Sequence, residues 1–168
     1  MAAGLGALRI LVIDDNAQMR TILGTVLSAA GVGHLHYAPD GRSGLTALVQ
    51  IQPDLCFVDY EMPVMNGLDF ISNVRAIASP LSVMPIIMLT GHADEPRLRA
   101  ARDRGVSEFL CKPVSAKTIL SRLQVAILHP REFIRSTTYF GPDRRRRTQS
   151  DHHGPRRRKS DHTAVVEL

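Results

Sequence analysis

The feature that most constrains this chain is a rhythm. Between residues 8 and 128, short unbroken apolar runs alternate with segments whose apolar residues recur every three or four positions. Leu8–Ile13 carries one Arg, is rich in β-branched residues and stops at Asp14-Asp15, the pattern of a strand covered on both faces. From Asn16 the period changes to that of a helix through Met19, Ile22, Leu23, Val26, Leu27 and Ala30, with Asn16 as N-cap and Gly31 as stop. The pair repeats four times: a strand around Gly33–Tyr37 with a helix over Asp40–Ile51, then Leu55–Val58 with Gly67–Ala78, Pro85–Leu89 with a polar helix over Asp94–Arg104, and Val106–Leu110 with Ser115–Leu128. Parallel neighbours need helical crossovers on both faces, so the pattern predicts an α/β fold, a doubly wound five-stranded parallel sheet with five helices.

Charge divides the chain at His129-Pro130. Residues 1–128 carry eleven Lys/Arg and eleven Asp/Glu, whereas residues 129–168 carry ten against five and hold the whole net charge of +5. A domain over 1–128 and a basic tail over 129–168 follow. After a mixed segment, Glu132–Phe140, the stretch Gly141–Lys159 has eight basic residues and no aliphatic side chain. It buries too little apolar surface to offset its ordering entropy, so the tail is expected to be largely disordered when unbound. With 44% apolar and 22% charged residues the composition is that of a soluble globular protein, and neither a signal peptide nor a membrane span is evident. Cys56 and Cys111 fall in or beside apolar runs and read as buried thiols, which fits a reducing cytoplasm.

In an open parallel sheet, ligands sit beyond the carboxyl ends of the strands. Asp14-Asp15 follow strand one, Asp59 ends strand three, Thr90-Gly91 follow strand four and Lys112-Pro113 follow strand five. Singly these are ordinary turn and cap residues. Together, three converging carboxylates repel one another unless a cation joins them, and Mg²⁺ suits a few carboxylate oxygens while keeping positions open for water or phosphate. A phosphoryl group then needs a nucleophile, a cation and a hydroxyl donor, which Asp59, Lys112 with the metal, and Thr90 supply.

With Ile13-Asp14-Asp15, Asp59 followed by Met62-Pro63 and Gly67, Thr90, and Phe109 ahead of Lys112-Pro113, residues 8–128 resemble the receiver domain of two-component response regulators. The resemblance implies the flavodoxin-like strand order 2-1-3-4-5 and no enzymatic activity beyond the protein's own phosphorylation and dephosphorylation. It also implies that Asp59 accepts a phosphoryl group from a phosphohistidine on a sensor kinase or a histidine phosphotransfer protein. Asp14, Asp15, Asp59 and the Glu61 backbone carbonyl would surround Mg²⁺, Asp14 mainly through water. Lys112 would pair with a phosphate oxygen, with a cis bond to Pro113. Thr90 and Phe109 would form a switch acting on the face of the fourth helix, fifth strand and fifth helix, where a downstream protein docks. In this family Glu61 and His92 border the water that hydrolyses the aspartyl phosphate; the Glu61 carboxylate can repel phosphate, contact metal or orient water, and the sequence does not choose. His34 and His36 share a face of a short strand but, lacking further ligands, read as surface histidines.

Forty residues with few apolar side chains cannot build a helix-turn-helix module, so output comes through the receiver surface, the tail, or both. Gly141-Pro142 leads into Arg144, Arg145, Arg146 and Arg147; Gly154-Pro155 leads into Arg156, Arg157, Arg158 and Lys159. Arginine forks onto phosphate, reads the guanine edge and stacks on bases, so two such clusters suit cyclic di-GMP. The tail also resembles the arginine-rich extension of chemotaxis-type single-domain regulators that bind this messenger and act at the flagellar motor. Nucleic acid, with Tyr139 and Phe140 stacking on bases, an acidic surface, or a plain solubilising extension are the alternatives. A phosphatase of the aspartyl-nucleophile kind is disfavoured because Glu61 stands where those enzymes have an acid/base aspartate.

Overall fold

A computed structural model describes residues 2–145 and 164–165. The alternation resolves into β1 (Arg9–Ile13), α1 (Ala17–Ala29), β2 (His34–Ala38), α2 (Gly41–Ile51), β3 (Leu55–Asp59), α3 (Gly67–Ala76), β4 (Ile86–Thr90), α4 (Glu95–Arg104), β5 (Glu108–Cys111) and α5 (Ala116–Leu128). The five strands form one parallel sheet ordered β2-β1-β3-β4-β5. Alternation sorts the side chains of the central strands into two layers. Leu11, Ile13, Cys56, Val58, Ile86 and Met88 face Leu48 of α2 and Phe70, Ile71 and Val74 of α3. Ile10, Val12, Leu55, Phe57, Ile87 and Leu89 face Leu23 and Leu27 of α1 and Ile119 and Leu123 of α5. Each such side chain contributes about 2 kcal/mol on leaving water.

Every one of these five helices starts on a side-chain N-cap. Asn16, Asp40, Asn66, Asp94 and Ser115 each accept a hydrogen bond from a backbone N–H of their first turn, worth about 1 kcal/mol apiece. These caps fix how the chain leaves the carboxyl edge of the sheet, where the candidate site lies. Helix α3 stops at Ala76, two residues short of the expected end, because Ser79 caps a separate 3-10 turn at Pro80–Val83.

Order does not end at Leu128. β6 (Phe133–Arg135) and β7 (Phe140–Pro142) pair antiparallel, and β8 (Ala164–Val165) adds to the other side of β6. Gly141–Arg145, expected to be disordered, therefore includes strand. The cause is a buried arginine on α3. Arg75 donates through Nε and Nη2 to the Gly105 carbonyl at 3.0 and 2.9 Å, and through Nη1 to the Ser82 and Met84 carbonyls at 2.8 and 2.9 Å. Its guanidinium lies 4.9 Å from the centre of the Phe133 ring, which in turn packs 5.7 Å from Phe140. Gly105 holds φ at +95°, the left-handed backbone that caps α4, and presents that carbonyl. Two aromatics and one cation thus anchor a hairpin that has almost no aliphatic residues. Residues 146–163 and 166–168 lie outside the described residues, and with them Arg146, Arg147, Arg156, Arg157, Arg158 and Lys159.

Both cysteines are free thiols. Cys56 is buried as expected, but Cys111 is exposed because it ends edge strand β5.

Candidate functional site

The strand order reverses between β1 and β3, so the connections leaving their carboxyl ends run to opposite faces of the sheet and leave a crevice. Asp14 and Asp15 follow β1 and Asp59 is the last residue of β3. One carboxylate oxygen from each lies within 4.8 Å of the others, and among the described residues no other group of three or more Asp, Glu, His or Cys comes together in this way. Asp14 and Asp59 are buried and Asp15 is exposed, which leaves one open side. Lys112, the residue after β5, reaches over the edge of the sheet: its Nζ donates to Asp59 Oδ1 at 2.9 Å and to Asp14 Oδ2 at 3.4 Å. The Asn16 N–H donates to Asp14 Oδ1 at 2.9 Å and fixes that carboxylate.

Burial pushes the Asp59 carboxyl up to about 6; the hydrogen bond from Lys112 opposes this, and the Asp14 and Asp15 charges reinforce it. Lys112 is held above its usual range because its carboxylate partners outweigh its own burial, so it is a full cation at neutral pH. One cation among three carboxylates leaves negative charge uncompensated. Hard oxygen donors, close spacing and an open side fit a divalent ion such as Mg²⁺.

The remaining expected residues divide. Thr90 ends β4 on the same edge, but its hydroxyl donates to the His92 carbonyl at 2.8 Å and accepts from the His92 N–H at 3.1 Å. Phe109 lies opposite Met88 on β5, half-buried, with the Arg102 guanidinium 5.9 Å from its ring centre. The Lys112–Pro113 bond is cis. The Glu61 carboxylate forms an ion pair with Arg97 of α4, which draws its pKa down. Arg97 also lies 5.4 Å from the centre of the Tyr60 ring. His34 is exposed and His36 half-buried on edge strand β2. Of the tail clusters only Arg144 and Arg145 are described. Arg144 pairs with Asp103 of α4 at 2.6 Å and lies 3.8 Å from the centre of the Tyr139 ring.

Sequence reasoning missed three contributors. Arg97 holds Glu61 from 36 residues away. Arg20 donates to the Asp14 carbonyl at 2.6 Å from the first turn of α1, a distance that helical spacing makes reachable but does not single out. Val64 sits at φ +69° in the loop after β3, a left-handed backbone that costs a β-branched residue about 1–3 kcal/mol. No local motif marks it.

Comparison with known proteins agrees with this geometry. The model of the response regulator receiver domain matches residues 10–124, and the chain belongs to that family. Chemotaxis protein CheY-3 of Vibrio cholerae is 32% identical over 116 residues, 69% of this chain and 88% of that protein. The solved structure of the chemotaxis response regulator CheY4 of Vibrio cholerae superposes with a TM-score of 0.67 at 30% identity, over 71% of this chain and 98% of that one. A protein-glutamate methylesterase/protein-glutamine glutaminase of Haloarcula marismortui is 36% identical, but the match takes in 62% of this chain and only 28% of that protein. The chain is thus a CheY-like receiver domain, a phosphoacceptor in two-component signalling that works with histidine kinases and downstream targets. Receiver domains are generally non-enzymatic switches and bind Mg²⁺ at an acidic pocket. No helix among the described residues is long and apolar enough to cross a membrane.

Proposed function

We propose that Asp59 is the phosphoacceptor. A carboxylate oxygen of Asp59 forms a P–O bond as the N–P bond of a donor phosphohistidine breaks, and the electron pair leaves with the imidazole. Asp14, Asp15, Asp59 and the Glu61 carbonyl would hold Mg²⁺, which neutralises phosphate charge when bound. Lys112, now on the Asp59 carboxylate, transfers to a phosphate oxygen. Thr90 gives up its bond to the His92 carbonyl to donate to the phosphoryl group, and Phe109 follows into the space vacated beside β4. Repacking of α4, β5 and α5 then alters what this face binds.

The observation that carries this reading is the 2.9 Å contact from Lys112 Nζ to Asp59 Oδ1 beside two further aspartates. Incubation with acetyl phosphate and Mg²⁺, followed by intact mass, tests it. One phosphoryl adduct on the wild type and none on Asp59→Asn is the expected result. An adduct of equal yield on Asp59→Asn would refute the assignment.

We further propose that the clusters Arg144–Arg147 and Arg156–Lys159 bind cyclic di-GMP and direct output to the flagellar motor. What supports this is the arginine content, its doubled Gly-Pro spacing and the stacking of Arg144 on Tyr139. Calorimetry on the full chain is expected to show binding that Arg156→Ala/Arg157→Ala/Arg158→Ala weakens. Tight, salt-sensitive binding of DNA or RNA by the same residues, with none of the dinucleotide, would replace this reading with nucleic-acid recognition.

A further inference from the structure

On the face formed by α4, β5 and α5, the described residues enclose a cleft of about 450 Å³, a size that suits a small molecule. Four arginines from four different segments line it: Arg102 of α4, Arg122 of α5, Arg131 of the connector and Arg144 beyond β7. Phe109 and Cys111 form part of its wall. The extension after α5 therefore supplies half of the cationic groups of a cavity whose floor belongs to the receiver.

These arginines are held in place. Arg122 and Arg131 share the single carboxylate of Glu108, at 3.3 and 3.2 Å. Arg131 also donates to the Asp143 carbonyl at 3.3 Å. Arg144 is fixed between Asp103 and the Tyr139 ring, and Tyr139 is itself anchored by donating to the Pro142 carbonyl at 2.8 Å. Arg102 lies over Phe109 and makes no ion pair among the described residues. Among the described residues, four guanidinium groups thus pair with two carboxylates, Glu108 and Asp103, which leaves two positive charges beside an apolar wall. Pre-oriented guanidinium forks lose little entropy on binding and match the oxygens of a phosphate in pairs.

We propose that this cleft is a binding site for a small phosphate-bearing ligand, closed by Arg131 and Arg144 and sharing only Arg144 with the two tail clusters. The two uncompensated charges call for a ligand with two phosphate negative charges, and the Phe109 wall accepts an apolar or planar group attached to them. Because Phe109 is shared with the proposed switch, occupancy and phosphorylation would bias each other reciprocally.

Cys111 offers a built-in reporter. It is exposed and lines the cleft, whereas Cys56 is fully buried and burial pushes its thiol pKa up, so alkylation reads one site. The experiment measures the rate of Cys111 alkylation by iodoacetamide in the full chain, by mass, with inorganic pyrophosphate or guanosine diphosphate added. Both probes are expected to slow it saturably, and Arg102→Ala or Arg122→Ala is expected to raise the half-saturating concentration by about tenfold. Equal potency assigns recognition to the phosphates alone; a stronger effect of the nucleotide adds the planar group. Arg9→Ala, at the amino end of β1 and outside the cleft lining, leaves the response unchanged. Protection that survives Arg102→Ala and Arg122→Ala but vanishes in Arg156→Ala/Arg157→Ala/Arg158→Ala would overturn the cleft while leaving the tail reading intact. Absence of saturable protection by either probe at millimolar concentration would overturn it outright.

Discussion

Asp59 holds an unfavourable charge in the metal-free protein, and removing that charge should make the fold more stable. Its carboxyl is raised from 3.8 to about 6, chiefly by burial, even after the opposing bond from Lys112 is counted. A folded-state value above the unfolded one means that the folded protein binds the proton more tightly. Stability from this group is complete below about pH 4 and is lost as pH rises through about 6. The full displacement corresponds to about 3 kcal/mol. Asparagine keeps the shape without the charge, so Asp59→Asn should exceed the wild type by about 1–3 kcal/mol at pH 7.5, the lower end allowing for Lys112 losing one partner. At pH 4 the two should nearly coincide. Urea unfolding in EDTA across pH 4–8 measures this, and saturating Mg²⁺ should narrow the gap by stabilising the wild type preferentially. A variant no more stable than the wild type at pH 7.5 would refute the argument, because it would mean that Lys112 already balances the buried carboxylates.

Arg97→Ala should free the Glu61 carboxylate beside the acceptor and slow phosphorylation by anionic acetyl phosphate about two- to fivefold, measured by adduct mass against time, with little change in thermal midpoint because the pair is exposed. Arg75→Met should cost about 3 kcal/mol in urea unfolding, because three buried carbonyls lose their donor, and should expose Arg131 and Arg135 to limited trypsin digestion as the hairpin detaches. Gly67→Ala should cost about 1–3 kcal/mol and lower phosphoryl uptake together, since an added Cβ would press on the Asp59 carbonyl and stand 3.0 Å from Met88 Cε.

The sheet was legible because β1, β3 and β4 are buried on both faces, so their apolar runs are unbroken and end on the polar residues of the crevice. Helix starts were legible for the same local reason: Asn16 and Asp40 satisfy backbone N–H groups within their own first turns. Asp14, Asp15, Asp59 and Lys112 could be gathered because parallel topology alone brings strand ends together. The hairpin was not legible. Its strands are three residues each, too short for a period, and the group that orders them is Arg75, which sequence pattern places among helix surface charges but the fold buries. Cys111 was misplaced because it lies beside the apolar run Phe109–Leu110, whereas the burial of that run does not extend to the last residue of an edge strand. The Glu61–Arg97 pair joins a loop to a helix across the sheet edge, a contact that no local pattern encodes.

One strand connects the acidic pocket to the extension. β5 runs from Glu108, gripped by Arg122 and Arg131, to Cys111, after which Lys112 turns into the pocket. Four residues of strand span about 13 Å and stretch little, since β4 holds the register from Ile87↔Glu108 to Thr90↔Cys111. A displacement of Lys112 therefore has two outlets, rotation of the side chains along β5 or release of its far end. That far end is pinned: the Arg131 and Arg122 ion pairs hold Glu108, and Arg75 holds the Gly105 carbonyl three residues earlier. Rotation is the softer outlet, and Phe109, half-buried and next to the pinned residue, is the side chain free to take it. On the proposed phosphorylation of Asp59, the hairpin and Arg131 would thus do more than append basic charge: by stiffening the entry to β5, they would direct the change toward Phe109 and the arginine-lined cleft beside it.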